Sequence, residues 1–212
     1  DAAVLVIDLD TNTPVDTIPV GNAPFGVSVH PDGSRIYVTN QSNPGQVYII
    51  DTQTNTVVNS IPTGALAAGI VISPDGSKAY VALRAGTVNV IDLLSNSIIA
   101  NVDAGAATAD AYGIAISPDG NTVYVTMFAG LNNSFVSIID ATSNTLSGTV
   151  TVGNEPLGIA ISPNGSRIYT ANRGATSYSV SVIDAVNRTL ITNIPAGDAP
   201  HSIVVSRDGT RI

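Results

Sequence analysis

Two histidines, His30 and His201, and no cysteine are the whole supply of imidazole and thiol in this 212-residue chain. His30 abuts a Pro31-Asp32-Gly33 turn, whereas His201 precedes a β segment. The two thus belong to opposite ends of their strands, about five residues apart at about 3.3 Å each. A His-His metal centre is excluded, and a zinc site would rest on one His and carboxylates. Asp8-Leu9-Asp10-Thr11-Asn12 imitates the start of a calcium loop, but Thr13 stands where the sharp turn needs Gly and the closing Glu is missing. It reads as a solvated turn. Acid–base chemistry has one foothold, Glu155 with Asp110 or Asp198 across a shared opening. There is no Gly-x-Ser-x-Gly elbow, phosphate loop or dinucleotide fingerprint. The expectation is a non-enzymatic chain with no catalytic residue, no metal and no cofactor.

The elements that hold these residues repeat. A turn reading Pro-Asp-Gly or a near variant recurs with its glycine at Gly33, Gly76, Gly120, Gly165 and Gly209, at spacings of 43, 44, 45 and 44 residues. Around the first, Gly26 to His30 alternates into the turn and Arg35 to Asn40 leaves it, a hairpin pattern. A third β stretch runs from Gln46 to Asp51, matched by Val4 to Asp8, Val88 to Asp92, Val136 to Asp140 and Val180 to Asp184. A polar turn and a fourth strand such as Thr56 to Ile61 follow. Four short strands per copy make one antiparallel blade. The 19 glycines and 12 prolines, with Val, Ile, Thr and Tyr in the strands, argue all-β and a single domain over 1–212. Asp8, Asp51, Asp92, Asp140 and Asp184 each close a strand before a turn, where a carboxylate accepts backbone N–H bonds. They are expected to be structural caps.

The motifs Ile36-Tyr37-Val38-Thr39-Asn40, Val6-Ile7-Asp8 followed by Thr11-Asn12, and Ser73-Pro74-Asp75-Gly76 together resemble the YVTN β-propeller repeat family of archaeal surface-layer and bacterial cell-surface proteins. The resemblance covers the whole chain. It implies a β-propeller, an extracellular or cell-surface location, and a structural or protein-binding role as scaffold, adhesion or recognition module toward a protein or carbohydrate. Tyr80-Val81-Ala82-Leu83, Tyr124-Val125-Thr126-Met127 and Tyr169-Thr170-Ala171-Asn172 depart from the signature tetrad but keep its strand pattern. Two further readings stay open: a propeller enzyme of lactonase or lyase type with its site at a channel mouth, and a self-assembling structural protein of the cell envelope.

With the Gly26-type strand innermost, as the family resemblance implies, residues 3–8 and 14–19 are expected to pair with Ser202 to Ser206 and Thr210 to Ile212, closing a five-bladed ring and removing exposed edges. The alternative is a five-repeat section of a six- or seven-bladed ring. Phe25, Ala68, Tyr112, Leu157 and His201 occupy equivalent positions ahead of the inner strands and should ring one channel mouth. The loops Gln41 to Gln46, Arg84 to Gly86, Phe128 to Ser134 and Arg173 to Tyr178 stand around it. The candidate binding residues are therefore Phe25, Tyr112, Leu157, His201, Arg84, Phe128, Arg173 and Tyr178, weighed against tolerant loops and an aromatic cover over the channel.

Sixteen acidic residues against eight basic ones, a net charge of −8, set aside nucleic acid and anionic lipid. No run of about 18 apolar residues predicts membrane insertion. Self-association through unpaired strand edges is a further expectation. Sequons at Asn40, Asn132, Asn164 and Asn187 are compatible with glycosylation, although a chain rich in Asn, Ser and Thr produces them by chance.

Overall fold

In a computed structural model, residues 2–130, 132–174 and 178–212 are described. Position 131 and positions 175–177, inside two of the expected variable loops, lie outside the described residues, as does Asp1. Among the described residues the chain is a β-propeller array of four four-stranded antiparallel sheets and one two-stranded sheet. The two-stranded sheet is β1 (Ala3–Asp8) with β2 (Thr13–Pro19). The first full blade holds β3 (Pro24–Val29), β4 (Arg35–Asn40), β5 (Gln46–Asp51) and β6 (Thr56–Pro62); the second holds β7 (Ala67–Ile72), β8 (Lys78–Leu83), β9 (Thr87–Asp92) and β10 (Ser97–Asp103). The third comprises β11 (Asp110–Ile116), β12 (Thr122–Phe128), β13 (Phe135–Asp140) and β14 (Thr145–Thr151), and the fourth β15 (Pro156–Ile161), β16 (Arg167–Asn172), β17 (Ser179–Asp184) and β18 (Thr189–Pro195). Among the described residues no helix is long and apolar enough to cross a membrane.

The middle strands of the second and third blades are buried on both faces, so there the period-two alternation reads apolar on either phase. Tyr37 and Ile49 point into one core layer with Ile70 and Val81 of the second blade, while their neighbours Val38 and Ile50 point back onto Ile18 and Val20. Tyr80, Val88 and Val90 meet Val123, Val125 and Met127 between the second and third blades. Tyr124, Val136 and Ile138 meet Ile168 and Ile183 between the third and fourth. The inner strands β3, β7, β11 and β15 lie side by side in that order, and the outer strands spread apart, which gives each blade its wedge.

The turns carry the chemistry read from the sequence. Gly33, Gly76, Gly120, Gly165 and Gly209 adopt φ of 76°, 73°, 76°, 72° and 72°, the left-handed conformation that closes each inner hairpin. At the outer hairpins Asp51 Oδ1 accepts the N–H of Gln53 and Thr54 at 3.0 and 3.1 Å, and Asp8, Asp92, Asp140 and Asp184 do the same for their own turns. Asn12, Asn55, Asn96 and Asn144 fill the left-handed position four residues after the Asp, and Arg188 replaces Asn in the fourth blade.

The five-bladed closure does not form. β1 and β2 pair only with each other, and residues 201–206 are not a ladder strand. That last segment instead continues the array, with Gly158 N–H donating to His201 O and Pro163 lying over Gly209. Among the described residues no ladder joins this segment to β1 or β2. Val27 and Val29 at one end, 62% and 55% exposed, and Val204 at the other, 75% exposed, consequently face solvent.

Candidate functional site

Each inner strand is preceded by a loop that aims one side chain at the channel. Ala23, Glu155 and Ala199 hold φ of 52°, 49° and 49° immediately before Pro24, Pro156 and Pro200. A non-glycine residue in the left-handed region ahead of proline is strained, and the strain reverses the chain so that the residue after the proline points inward. The next residue is Gly26, Gly69, Gly113 or Gly158. At Gly69 a Cβ would lie 2.5 Å from Tyr112 O, and at Gly113 it would run into Leu157 O. Glycine therefore lets successive inner strands approach backbone to backbone.

Two buried threonines fix that approach. Thr39 Oγ1 accepts Gly26 N–H at 2.9 Å and donates to Ala68 O at 2.5 Å; Thr126 Oγ1 accepts Gly113 N–H at 2.8 Å and donates to Leu157 O at 3.0 Å. Each hydroxyl satisfies a donor in its own blade and an acceptor in the next. Sequence reasoning passed over these residues. The available signal is the constant spacing of 13 residues from glycine to threonine in both copies.

Phe25, Tyr112, Leu157 and His201 converge on one cavity of about 390 Å³, floored by Gly69, Gly113 and Gly158. Ala68, the equivalent residue of the second blade, is fully buried and leaves room for Tyr112, whose ring centroid lies 6.4 Å from that of Phe25 at 44°. Arg84, from the end of β8, lies over the Tyr112 ring at 5.1 Å. Its Nη2 and Nε donate to Asp110 Oδ2 at 2.8 and 3.3 Å, and the Tyr112 hydroxyl donates to the same oxygen at 3.3 Å. The bond to Asp110 pushes the Arg84 guanidinium further up, and burial raises the Tyr112 phenol with Asp110 adding to it. Arg173 pairs with Glu155 at 3.5 Å, and its backbone N–H donates to Glu155 O at 3.0 Å.

The acids at the mouth are thus each held by an arginine, Asp110 by Arg84 and Glu155 by Arg173, while Asp198 is exposed. Each of these two carboxylates turns to its own arginine, and the hydrogen bonds of the described residues do not join Glu155 to Asp110 or Asp198. Phe128 and Tyr178 stand on the mouth side, half-buried and outside the cavity lining. Among the described residues no group of three or more His, Asp or Glu is arranged to hold a metal ion.

His30 lies on the opposite face. Its Nδ1 is 2.6 Å from Asp32 Oδ1 and its Nε2 is 3.0 Å from Gly76 O. Elsewhere the same place holds Ser73, Ser117 and Ser206, whose hydroxyls donate to Asp75, Asp119 and Asp208 at 2.5, 2.5 and 2.6 Å. The imidazole performs the hydroxyl's task and also reaches the next blade. These hydrogen bonds hold Asp32, Asp75 and Asp208 down to about 2, through the Ser34 N–H first at Asp32 and through the Ser73 and Ser206 hydroxyls first at the others.

Of the sequon asparagines, Asn40 is 1% exposed, and its Oδ1 accepts Gln46 N–H at 2.8 Å and the Ser42 hydroxyl at 3.0 Å, so it braces a loop. Asn187 is exposed, and Asn132 N–H and Asn164 Oδ1 take part in loop hydrogen bonds.

Residues 40–130 match the family described as Cytochrome D1 heme domain. Among solved structures, a chain of Kuenenia stuttgartiensis Hydrazine Synthase is 21% identical, with a TM-score of 0.71 over 98% of this chain and 84% of that one. None of the curated proteins matches. Both likenesses support the β-propeller; neither singles out the YVTN family.

Proposed function

We propose that this chain is a ligand-binding propeller whose site is the channel mouth, belonging to an enzyme or enzyme-associated protein rather than acting as a bare scaffold. The convergence of Phe25, Tyr112, Leu157 and His201 on one cavity of about 390 Å³ carries the reading. A concave, largely apolar site with a few convergent polar groups is the usual form of a small-molecule pocket. The two likenesses support the enzymatic direction, because the matched family is described by its heme domain and the similar structure by a synthase.

The heme itself does not transfer with the match. Heme iron takes an axial His, Cys, Met or Tyr. Residues 40–130 contain no His or Cys, their Met127 is wholly buried in the core, and the phenol they bring to the mouth, Tyr112, donates to Asp110. His201 lines the cavity from outside the matched segment. The donor set of the matched residues does not fit the group.

The second reading is a YVTN-type cell-surface module that binds a protein or carbohydrate outside the cell. The tetrad Tyr37-Val38-Thr39-Asn40 and the recurrent turns favour it. The array is open, β1 and β2 being paired with each other and not with a further strand among the described residues. A screen of small organic fragments by amide-resolved NMR decides between the readings. Shifts at Phe25, Tyr112, Leu157 and His201 are expected; hits confined to the outer strands, or none, would overturn the mouth as the site.

A further inference from the structure

Resting on the mouth as the binding site, we infer that its ligand is a flat, uncharged aromatic molecule with one hydroxyl, its ring on the Phe25, Tyr112 and Leu157 side of the cavity and its hydroxyl on the His201 and Ser202 side.

The charge of the ligand follows from the lining. Pro24, Phe25, Tyr112, Leu157, His201 and Ser202 bound the cavity over its floor of three glycines, and these described residues include no Lys, Arg, Asp or Glu. The charged groups of the mouth stand outside the lining and are spent on each other, Arg84 on Asp110 and Arg173 on Glu155. A charge brought out of water into such a cavity meets no counter-charge, and an unpaired buried charge is costly. A cation has one further route, the face of a ring, but Arg84 already lies over Tyr112 at 5.1 Å, so a second cation on that ring meets like charge.

The shape of the ligand follows from the rings. Phe25 is 44% exposed, a large side chain open to water beside Tyr112 and Leu157. The Tyr112 hydroxyl donates to Asp110, so this residue meets the cavity chiefly with its ring. Aromatic rings in offset or tilted contact gain beyond simple burial, so the open Phe25 next to the tilted Tyr112 suits a third flat ring. A cavity of about 390 Å³ lies at the small end of the roughly 300–1,000 Å³ of ligand pockets, room for one or two fused rings.

The polar group is set by the fifth copy of the inner strand. Gly158 N–H donates to His201 O at 3.0 Å and ties the backbone, whereas among the described residues the imidazole makes no hydrogen bond or ion pair. Neutral imidazole carries one donor and one acceptor, and the hydroxyl of the neighbouring Ser202 both donates and accepts. A hydroxyl on the ligand, likewise donor and acceptor, matches either one.

The probes are 2-naphthol, naphthalene, 2-naphthoate and 2-naphthylmethylammonium, titrated into the full chain and followed by their own fluorescence, with decahydro-2-naphthol as a non-planar competitor. Naphthol is expected to bind one to one, at least about tenfold more tightly than either charged probe, and to be displaced poorly by the decahydro compound. His201→Ala should bring naphthol down by roughly fivefold to the level of naphthalene, the size of one hydrogen bond, and leave naphthalene unchanged. Phe25→Ala should weaken both. The two side chains are exposed, so both variants are expected to stay folded by circular dichroism. A charged probe that equals or exceeds naphthol, or naphthol binding that neither variant changes, would overturn the inference. A preferred charged probe that shifts the Tyr112 and Leu157 amides would leave the mouth as the site and refute only the uncharged ligand; no shift there with any probe would overturn the mouth as well.

Discussion

Replacing Thr126 by Val keeps the shape of the side chain and removes its hydroxyl. In the native chain that oxygen takes Gly113 N–H at 2.8 Å and gives its proton to Leu157 O at 3.0 Å, at a position with no solvent exposure. The valine leaves two buried backbone groups without this partner, each costing about 1–3 kcal/mol. The added methyl returns up to about 1 kcal/mol. The net loss is then about 3 kcal/mol, and for a chain of this length each kcal/mol lowers the melting temperature by roughly 2–4 °C, giving a fall of roughly 6–12 °C. Differential scanning calorimetry reads this directly, and urea unfolding with an unchanged slope confirms that the native state is the one affected. Thr39→Val should match it, because Thr39 makes the same two bonds to Gly26 and Ala68. A Thr126→Val protein within about 0.5 kcal/mol of the wild type would refute the claim that the hydroxyls tie neighbouring inner strands.

Gly113→Ala should destabilise by about 1–3 kcal/mol, because its Cβ would meet Leu157 O and come within 3.2 Å of Thr126 Oγ1, and backbone cannot step aside as a flexible side chain does. Gly197→Ala, with open space around it, is the control and should stay within about 0.5 kcal/mol. Asp51→Ala should lower the melting temperature while leaving fragment binding at the mouth unaltered, since Asp51 binds the N–H groups of Gln53 and Thr54 on the face away from the mouth; loss of binding without loss of stability would reverse that assignment. Acid should destabilise the chain through its inner turns. Asp75 is held at about 2 against an ordinary 3.8, so its contribution is complete above 3.8 and is lost as pH falls through about 2. Urea unfolding at pH 5 and pH 2 should show a smaller drop for Asp75→Asn than for the wild type. The fourth inner turn already uses this substitution, as Asn164 accepts Ser162 Oγ and Ser166 N–H at 2.8 and 3.0 Å without titrating.

The blades were legible because each is specified locally. Pro31-Asp32-Gly33 and its copies state a turn, and the Asp before each polar reversal states a cap, so hairpin and cap follow from neighbours in sequence. The ring of Phe25, Tyr112, Leu157 and His201 was legible for a related reason: aligned copies place equivalent residues at equivalent heights. Closure was not legible. It depends on the angle between blades, which arises where Tyr37 packs forward on Ile70 while Val38 packs backward on Ile18, and no local pattern encodes that sum. The pairing of Arg84 with Asp110, 26 residues away, was hidden likewise, because Arg84 leaves one blade and Asp110 enters the next. The bracing role of Asn40 was hidden too, because the three-residue pattern Asn40-Gln41-Ser42 says nothing of the strand end it completes.

The departures from the repeated tetrad mark where the blades are joined differently. The threonine position reads Thr39, Ala82, Thr126 and Ala171 in successive copies, so the hydroxyl tie occurs in alternate blades. Where Ala82 lacks it, the second and third blades are joined instead by Arg84 to Asp110 at the mouth and by Lys78 Nζ to Ala141 O, at 3.2 Å, on the far face. A neutral, buried tie has been exchanged for a charged, half-exposed one at the rim of the cavity. The neutral tie is sealed from solvent, whereas the guanidinium that replaces it is partly exposed and lies over Tyr112, a ring that lines the cavity. The second-to-third blade junction is therefore tied through the ring that lines the cavity, and Arg84→Gln should lower the melting temperature and shift the Tyr112 amide together, as calorimetry and NMR would read.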